Sequence, residues 1–281
     1  CCAGKNQAKL TFNHCIRTFF MSDHQLLLEG YHPDSDTALA SAFLIAGSDN
    51  QCESPRHRHR KGQLILAVHG GVTCNVMNAL WIVPKNCALW VPGGRDHSNH
   101  VTPNARLCFL FIEPGAAEMP DFCCTLALPA LVRELILHLA TLPQGNDSPV
   151  RQRLIQVLFD QLPRKPDSQY YLPYPEDKRL RRMIDYMREN PADMLLQYDW
   201  AKTLAMSERN LSRLILRETG MNFRRWKQQL QFILAIEALS GGASVQQTAG
   251  LLGYDSATAF INMFKRALGK TPGHWSGAYT R

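Results

Sequence analysis

The stretch from Trp200 to Trp275 constrains this chain most, because it states one local plan twice. In WAKTLAMSERNLSRLILRETG, Ala201, Leu204, Leu211, Leu214 and Ile215 can form the inward faces of two short helices. Ala205 and Met206 make the turn, Ser207 is placed to accept a backbone N–H as an N-cap, and Gly220 stops the second helix. The next segment, NFRRWKQQLQFILAIEALS, carries Phe223, Trp226, Leu230, Leu234 and Leu239 at helical spacing. Arg224, Arg225, Lys227, Gln228 and Gln231 fall mostly elsewhere on the wheel, which predicts a half-buried connecting helix. The plan then recurs: Ala249 lies four residues before Gly253, whose missing Cβ suits a sharp turn. Phe260, Phe264 and Leu268 follow as an i, i+4, i+8 stripe. Two helix-turn-helix units on one polypeptide are predicted.

Ser207, Leu211, Arg213 and Gly220 recur with a second set: Thr248, Ala249, Leu252, Gly253, Tyr254, Ser256, Phe260, Phe264, Lys265, Arg266, Gly269, Lys270, Thr271, Pro272 and Trp275. At these spacings they resemble the signature of the AraC-type transcriptional regulators, over about the last hundred residues. Ala205 stands where that family usually has Gly, at a cost on the order of 1 kcal/mol if its φ is positive. Gln231 stands where the connecting helix usually carries Arg. The resemblance implies a bacterial regulator that responds to a small-molecule effector, binds promoter DNA as a homodimer and activates RNA polymerase.

The residues matching the family's reading positions are Arg209, Ser212 and Arg213 in the first unit and Thr258, Ile261 and Asn262 in the second. Arg can bridge guanine O6 and N7, Asn can bridge adenine N6 and N7, and Ile can pack on a thymine methyl. Arg217, Arg224, Lys265, Arg266 and Lys270 suit phosphate contact or solvent. A connecting helix of about 18 residues spans about 27 Å, compatible with reading helices in major-groove segments about 34 Å apart. With two Arg against one Asn, the first unit is expected to carry more of the sequence-specific contact.

Upstream, residues 38–114 read as β-structure. Short apolar or alternating runs, among them QLILAVHGGVTCNV and ALWIVPKNCALWVPGG, are separated by Gly, Pro and Asn. His57 and His59, at i and i+2 on a strand, point to one face, so two imidazoles can converge on a divalent metal with a third from a partner strand. His57, His59, Gln63 and Gly70, then Pro92, Gly94 and His97, resemble the two motifs of the cupin barrel. The resemblance implies a barrel whose His57, His59, Gln63 and His97 contact an effector, or hold a metal through His57, His59 and His97. Gln63 replaces the family's usual Glu, and Val101 stands in place of an Asn. Arg56, Arg58, Arg60 and Lys61 surround the pair, which favours an anionic effector over a cation. Trp81 and Trp90 suit either the core or the lining of an effector pocket.

From residue 121 to 162 the period becomes helical. Leu131, Leu135, Ile136 and Leu139 share one face, and Leu154, Ile155, Leu158, Phe159 and Leu162 share another, giving a hairpin that packs on the barrel or dimerises. Residues 163–176 hold four Pro, an extended linker, and 177–281 form the DNA-binding domain, begun by a helix bearing Leu180, Met183, Ile184 and Met187. The fold class is therefore α+β with two domains, a cupin-like barrel with a helical hairpin (21–162) and an all-α region.

Length and composition agree: 281 residues, 45% apolar, suit two packed domains. From Glu176 onward, 16 Lys+Arg face 10 Asp+Glu, so +6 of the overall +7 lies in the DNA-reading part. No apolar run reaches the roughly 18 residues that span a bilayer, and a cytoplasmic, nucleoid-associated protein is expected. Residues 1–20, which precede the first Met, are expected to be a disordered or non-native extension. None of the nine Cys has C-x-x-C spacing, so reduced, buried thiols are expected. No catalytic residue is assigned, and the chain reads as a regulator rather than an enzyme. The alternatives are a metal-dependent cupin enzyme or metal sensor fused to a DNA-binding domain, and a nucleoid protein indifferent to sequence.

Overall fold

The structure, a computed structural model, describes residues 31–46, 52–69, 72–83, 86–101, 105–143, 148–163, 166, 170–193, 195–268 and 271–274. The expectations for residues 1–20, Gly70, Gly269, Lys270 and Trp275 lie outside them.

The alternating runs of the N-terminal half form two five-stranded antiparallel sheets. The first has the order β1 (Ala40–Ala46), β8 (Arg106–Ile112), β3 (Gly62–His69), β6 (Cys87–Val91) and β9 (Cys124–Ala127). The second runs β10 (Tyr171–Pro173), β5 (Ala79–Val83), β4 (Val72–Val76), β7 (His97–Val101) and β2 (Cys52–Glu53). Period-two alternation divides each strand between two environments. Ile65, Leu89, Val91 and Phe109 meet Val72, Cys74, Trp81 and Val83 in the layer between the sheets. Among the described residues no strand pairing joins one sheet to the other, so the cupin-like barrel is an open one.

The outer face of the first sheet is covered by α1 (Ala130–Thr141) and α2 (Pro149–Gln161). Leu64, Leu66, Ala88 and Leu110 pack there against Val132, Ile136, Leu139, Ile155, Leu158 and Phe159. The face of α1 differs from expectation by one position, since Val132 is buried and Leu131 is 56% exposed. The sheet lies along a stripe centred on Ile136, and Leu131 falls off its edge. Arg151, 1% exposed, donates to the carbonyls of Leu139 and Ala40 at 3.1 and 3.4 Å and ties the hairpin to β1. The segment 121–162 also opens with a strand, β9, because Cys124–Ala127 completes the sheet edge beside β6.

In the C-terminal half every expected helix is present: α3 (Lys178–Glu189), α4 (Gln197–Thr203), α5 (Glu208–Thr219), α6 (Phe223–Ser240), α7 (Val245–Leu251) and α8 (Ala257–Leu268). Leu180, Met183, Ile184 and Met187 seat α3 on the shared core. Ser207 caps α5 by accepting the Asn210 N–H at 3.2 Å, and Gly220 ends it in the left-handed conformation. The apolar face of α6 is wider than expected, with Phe232, Ile233, Ala235 and Ile236 buried and Leu234 half-buried, because it packs on both units and on β10.

The two turns are geometric copies. Met206 N–H bonds to Ala201 O at 2.8 Å and Tyr254 N–H to Ala249 O at 2.9 Å. Ala205 and Gly253 sit at the equivalent point with φ of 51° and 74°. A Cβ on Gly253 would lie 2.6 Å from the carbonyl oxygen of Ala192, so backbone contact excludes one there. Ala205 is exposed, which gives its methyl room but leaves the left-handed strain. Ala205→Gly is therefore expected to stabilise the chain by about 1 kcal/mol, read as a raised urea midpoint, whereas an unchanged or lowered midpoint would contradict this account of the turn.

The last part of the expected extended linker forms a strand. Residues 171–173 pair antiparallel with β5, with Tyr171 opposite Trp81 and Leu172 opposite Leu80. Among the described residues no helix is long and apolar enough to cross a membrane.

Candidate functional site

The second helix of each unit presents one polar face. On α5, Arg209 and Arg213 are one turn apart and exposed, as are Thr258 and Asn262 on α8. Among the described residues neither Arg209 nor Arg213 is engaged in an ion pair, so both guanidinium groups can meet an external acceptor. Lys265 and Arg266 are exposed in the last turn of α8, and Arg224 is exposed in the first turn of α6. Two further expected readers, Ser212 and Ile261, are less exposed. Ile261 is half-buried, and Ser212 accepts a hydrogen bond from the Gln197 side chain at 2.6 Å. Gln197 also bonds Glu208 O at 3.2 Å, so it joins α4 to the start of α5; composition alone could not reveal that pairing. Arg217 is paired with Glu218 at 3.0 Å, and this exposed bond is cheap to exchange for a phosphate.

In the N-terminal half, His57, His59 and His97 come together, with ligand atoms all within 4.8 Å of one another. His59 and His97 are buried and His57 is exposed. Each ring is oriented by a main-chain carbonyl: His57 Nδ1 lies 2.8 Å from Pro55 O, His59 Nδ1 2.7 Å from Lys61 O, and His97 Nδ1 2.9 Å from Arg95 O. A carbonyl only accepts, so each Nδ1 carries the proton and each Nε2 presents a lone pair. Gln63 Oε1 is 3.1 Å from His59 Nε2 and 2.9 Å from His97 Nε2. Four acceptors thus converge. Either the Gln63 amide turns its NH₂ towards the two imidazoles, or a cation sits among them. Burial lowers the pKa of His97 to about 3 and also lowers that of His59, keeping both rings neutral as a metal requires.

The basic surroundings expected to repel a cation are largely neutralised. Arg56 pairs with Asp96 at 3.5 Å, Arg60 with Glu113, and the fully buried Lys61 with Asp36 at 2.8 Å. Acidic partners distant in sequence gave no local signal of this. Phe111 lies edge-on to His59 at 5.2 Å, and Tyr31, Phe43 and Phe109 extend the aromatic wall. Trp81 belongs to the same inner layer. Trp90 does not: its ring fills the space over Gly62 on the outer face, where its Nε1 donates to Pro120 O at 2.7 Å. One-residue alternation within β6 separates Trp90 from the histidines. Burial raises the thiol pKa of both Cys123 and Cys124 to about 11, which leaves them unreactive near neutrality.

Two helix-turn-helix units on one connecting helix, behind a sheet-rich domain, define a transcriptional regulator. A family profile described as a helix-turn-helix domain matches residues 200–278. The chain belongs to the AraC-type family of DNA-binding regulators. It is 53% identical over 259 residues to the HTH-type transcriptional regulator NimR of Escherichia coli (strain K12), covering 92% of this chain and 94% of that one. It is 28% identical over 100 residues to the regulator RipA of Corynebacterium glutamicum, covering 36% of this chain and 30% of that one. A solved structure of ToxT from Vibrio cholerae aligns with 84% of this chain and 96% of its own, at 10% identity and a TM-score of 0.35. NimR and RipA are named as regulators of transcription, and the chain is a transcriptional regulator.

Proposed function

We propose that the chain is a cytoplasmic, effector-responsive activator that binds promoter DNA as a homodimer and acts on RNA polymerase. α5 and α8 enter successive major-groove segments, with Arg209 and Arg213 reading bases from the first and Thr258 and Asn262 from the second. Lys265, Arg266, Arg224 and Arg217 anchor phosphates. The observation that carries this reading is the pair of exposed polar faces on helices joined by the 18-residue α6, about 27 Å long. Ser212 acts through Gln197 to hold α5, and Ile261 supports α8 from its flank. Competition with scrambled duplex tests it: a sequence-specific regulator prefers its operator about a thousandfold or more, and equal competition would favour the nucleoid-protein alternative.

The converging imidazoles favour a further statement, that the barrel holds one divalent transition metal through His57, His59 and His97, with Gln63 as an oxygen donor. Three neutral nitrogens and an amide suit zinc, nickel or copper better than magnesium or calcium. The site's own residues hold the imidazoles by their Nδ1–H groups, so little reorganisation precedes binding. Elemental analysis of untagged protein is expected to give one equivalent, lost in the His59→Ala/His97→Ala variant. Full-length protein without stoichiometric metal, and without uptake on titration with zinc, would leave His57, His59, Gln63, His97 and Trp81 as contacts for an organic effector alone.

A further inference from the structure

The strands β5 and β10 form a ribbon with a different hydrophobic core on each face. Along β5, Trp81 and Val83 turn into the layer between the sheets, while Leu80 and Ile82 turn into the core of the DNA-binding helices. β10 repeats the division, except that the half-buried Tyr171 packs against both cores. Tyr171 stacks on Trp81 with ring centroids 4.8 Å apart and an angle of 20° between planes. Tyr170 and Leu172, 3% and 0% exposed, lie in the helical core with Trp226.

Hydrogen bonds fasten the ribbon and the chain that leaves it to both sides. Trp226 Nε1 of α6 donates to Pro173 O at 3.2 Å, and Arg181 Nε of α3 donates to Pro175 O at 2.8 Å. Glu218 of α5 accepts the N–H groups of Glu176 and Asp177 at 3.0 and 3.2 Å. Towards the barrel, Tyr174 N–H bonds to Asn78 O at 2.7 Å, and Asn78 Nδ2 donates to Glu176 Oε1 at 3.0 Å. One short segment therefore touches the inner layer of the sandwich, the connecting helix and the end of the first reading helix.

We propose that the β5–β10 ribbon transmits the state of the barrel to the DNA-binding helices: repacking against Trp81 and Tyr171 shifts β10, and with it α6 and the C-terminal end of α5. The signal's origin rests on the effector-responsive reading, whereas the mechanical link rests on the contacts alone. The two domains are joined by a shared sheet element with two working faces. A loose tether would isolate the domains, but a strand buried on both sides cannot move without disturbing both cores.

The test uses the full chain and needs no effector. Tyr171→Ala removes a ring that packs on both cores, Trp81→Phe alters the barrel side alone, and Tyr171→Phe keeps the stack. Hydrogen exchange of the amides in 223–240 is expected to rise about tenfold in Tyr171→Ala, with affinity for a selected DNA site changing about threefold, while Tyr171→Phe stays at the wild-type values. Trp81→Phe, which touches only the inner layer of the sandwich, is measured in the same way and is expected to shift the same amides by a smaller factor, whether or not Tyr171→Ala folds. Faster exchange confined to residues 62–101, with α6 and DNA affinity unchanged, would overturn the proposal. A ligand screen that finds no effector would remove the effector reading and leave this coupling intact.

Discussion

Replacing Arg213 with alanine is expected to weaken DNA binding by about 1 to 3 kcal/mol, and to do so through a single base-pair position. The side chain is exposed on the open face of α5, one turn from Arg209, and is in no ion pair among the described residues. A phosphate contact would behave otherwise: its loss lowers affinity for every sequence alike and reduces the salt dependence by about one counterion. Binding of wild type and Arg213→Ala to an operator series with each position substituted in turn separates the two. If the penalty is the same for all sequences, Arg213 is an anchor and the reading role passes to Arg209 or to α8.

Asp36→Asn is expected to cost about 3 kcal/mol of folding stability, since it takes from the fully buried Lys61 its nearest anion. Lys61 Nζ is fully buried and donates to Asp36 Oδ2 at 2.8 Å and to Ala38 O at 2.7 Å. The nearest other carboxylate, Glu113, is 3.9 Å away. Burial alone would raise the pKa of Asp36, but hydrogen bonds from Lys61, Ser41, the Ala38 N–H and Tyr31 outweigh it and hold the pKa at about 2. This contribution is complete above the unfolded value of 3.8 and is lost as pH falls towards about 2, because the unfolded chain takes up the proton first. Urea midpoints at neutral pH should drop in Asp36→Asn, and the variant should lack this part of the acid-induced loss. Equal midpoints would show that Lys61 finds another partner. The effect reaches the histidines, because Lys61 O orients the His59 ring.

The helices of the C-terminal half were legible because their signals are local. The cap at Ser207, the stop at Gly220 and the 3.6-residue stripes all lie within a few turns of the residues they govern. Both turns were placed on the Ala205 and Gly253 positions, and only coordinates show why one tolerates a methyl: the obstacle at Gly253 is the backbone of Ala192, far away in sequence. The sheets were legible as alternating runs, yet their pairing was not. That the linker strand adds to β5, and that β9 belongs to the first sheet, depends on which edges are open after folding. The convergence of His57, His59 and His97 followed from spacing and resemblance. The charge balance around them did not, because Asp36, Asp96 and Glu113 come from separate elements. The choice between core and pocket lining for Trp90 stayed open for a simpler reason, a one-residue parity that a run buried on both faces, such as CALWV, does not disclose.

The central claim is that two reading helices on one chain recognise two boxes of DNA. Selection of binding sites from a random duplex pool by the full-length protein addresses it most directly. Each enriched half-site should hold two short conserved boxes centred about 10 base pairs, or about 34 Å, apart, with one position of the box facing α5 losing its conservation when Arg213→Ala is used instead. A single box, or a pool that stays unenriched while still being bound, would contradict it.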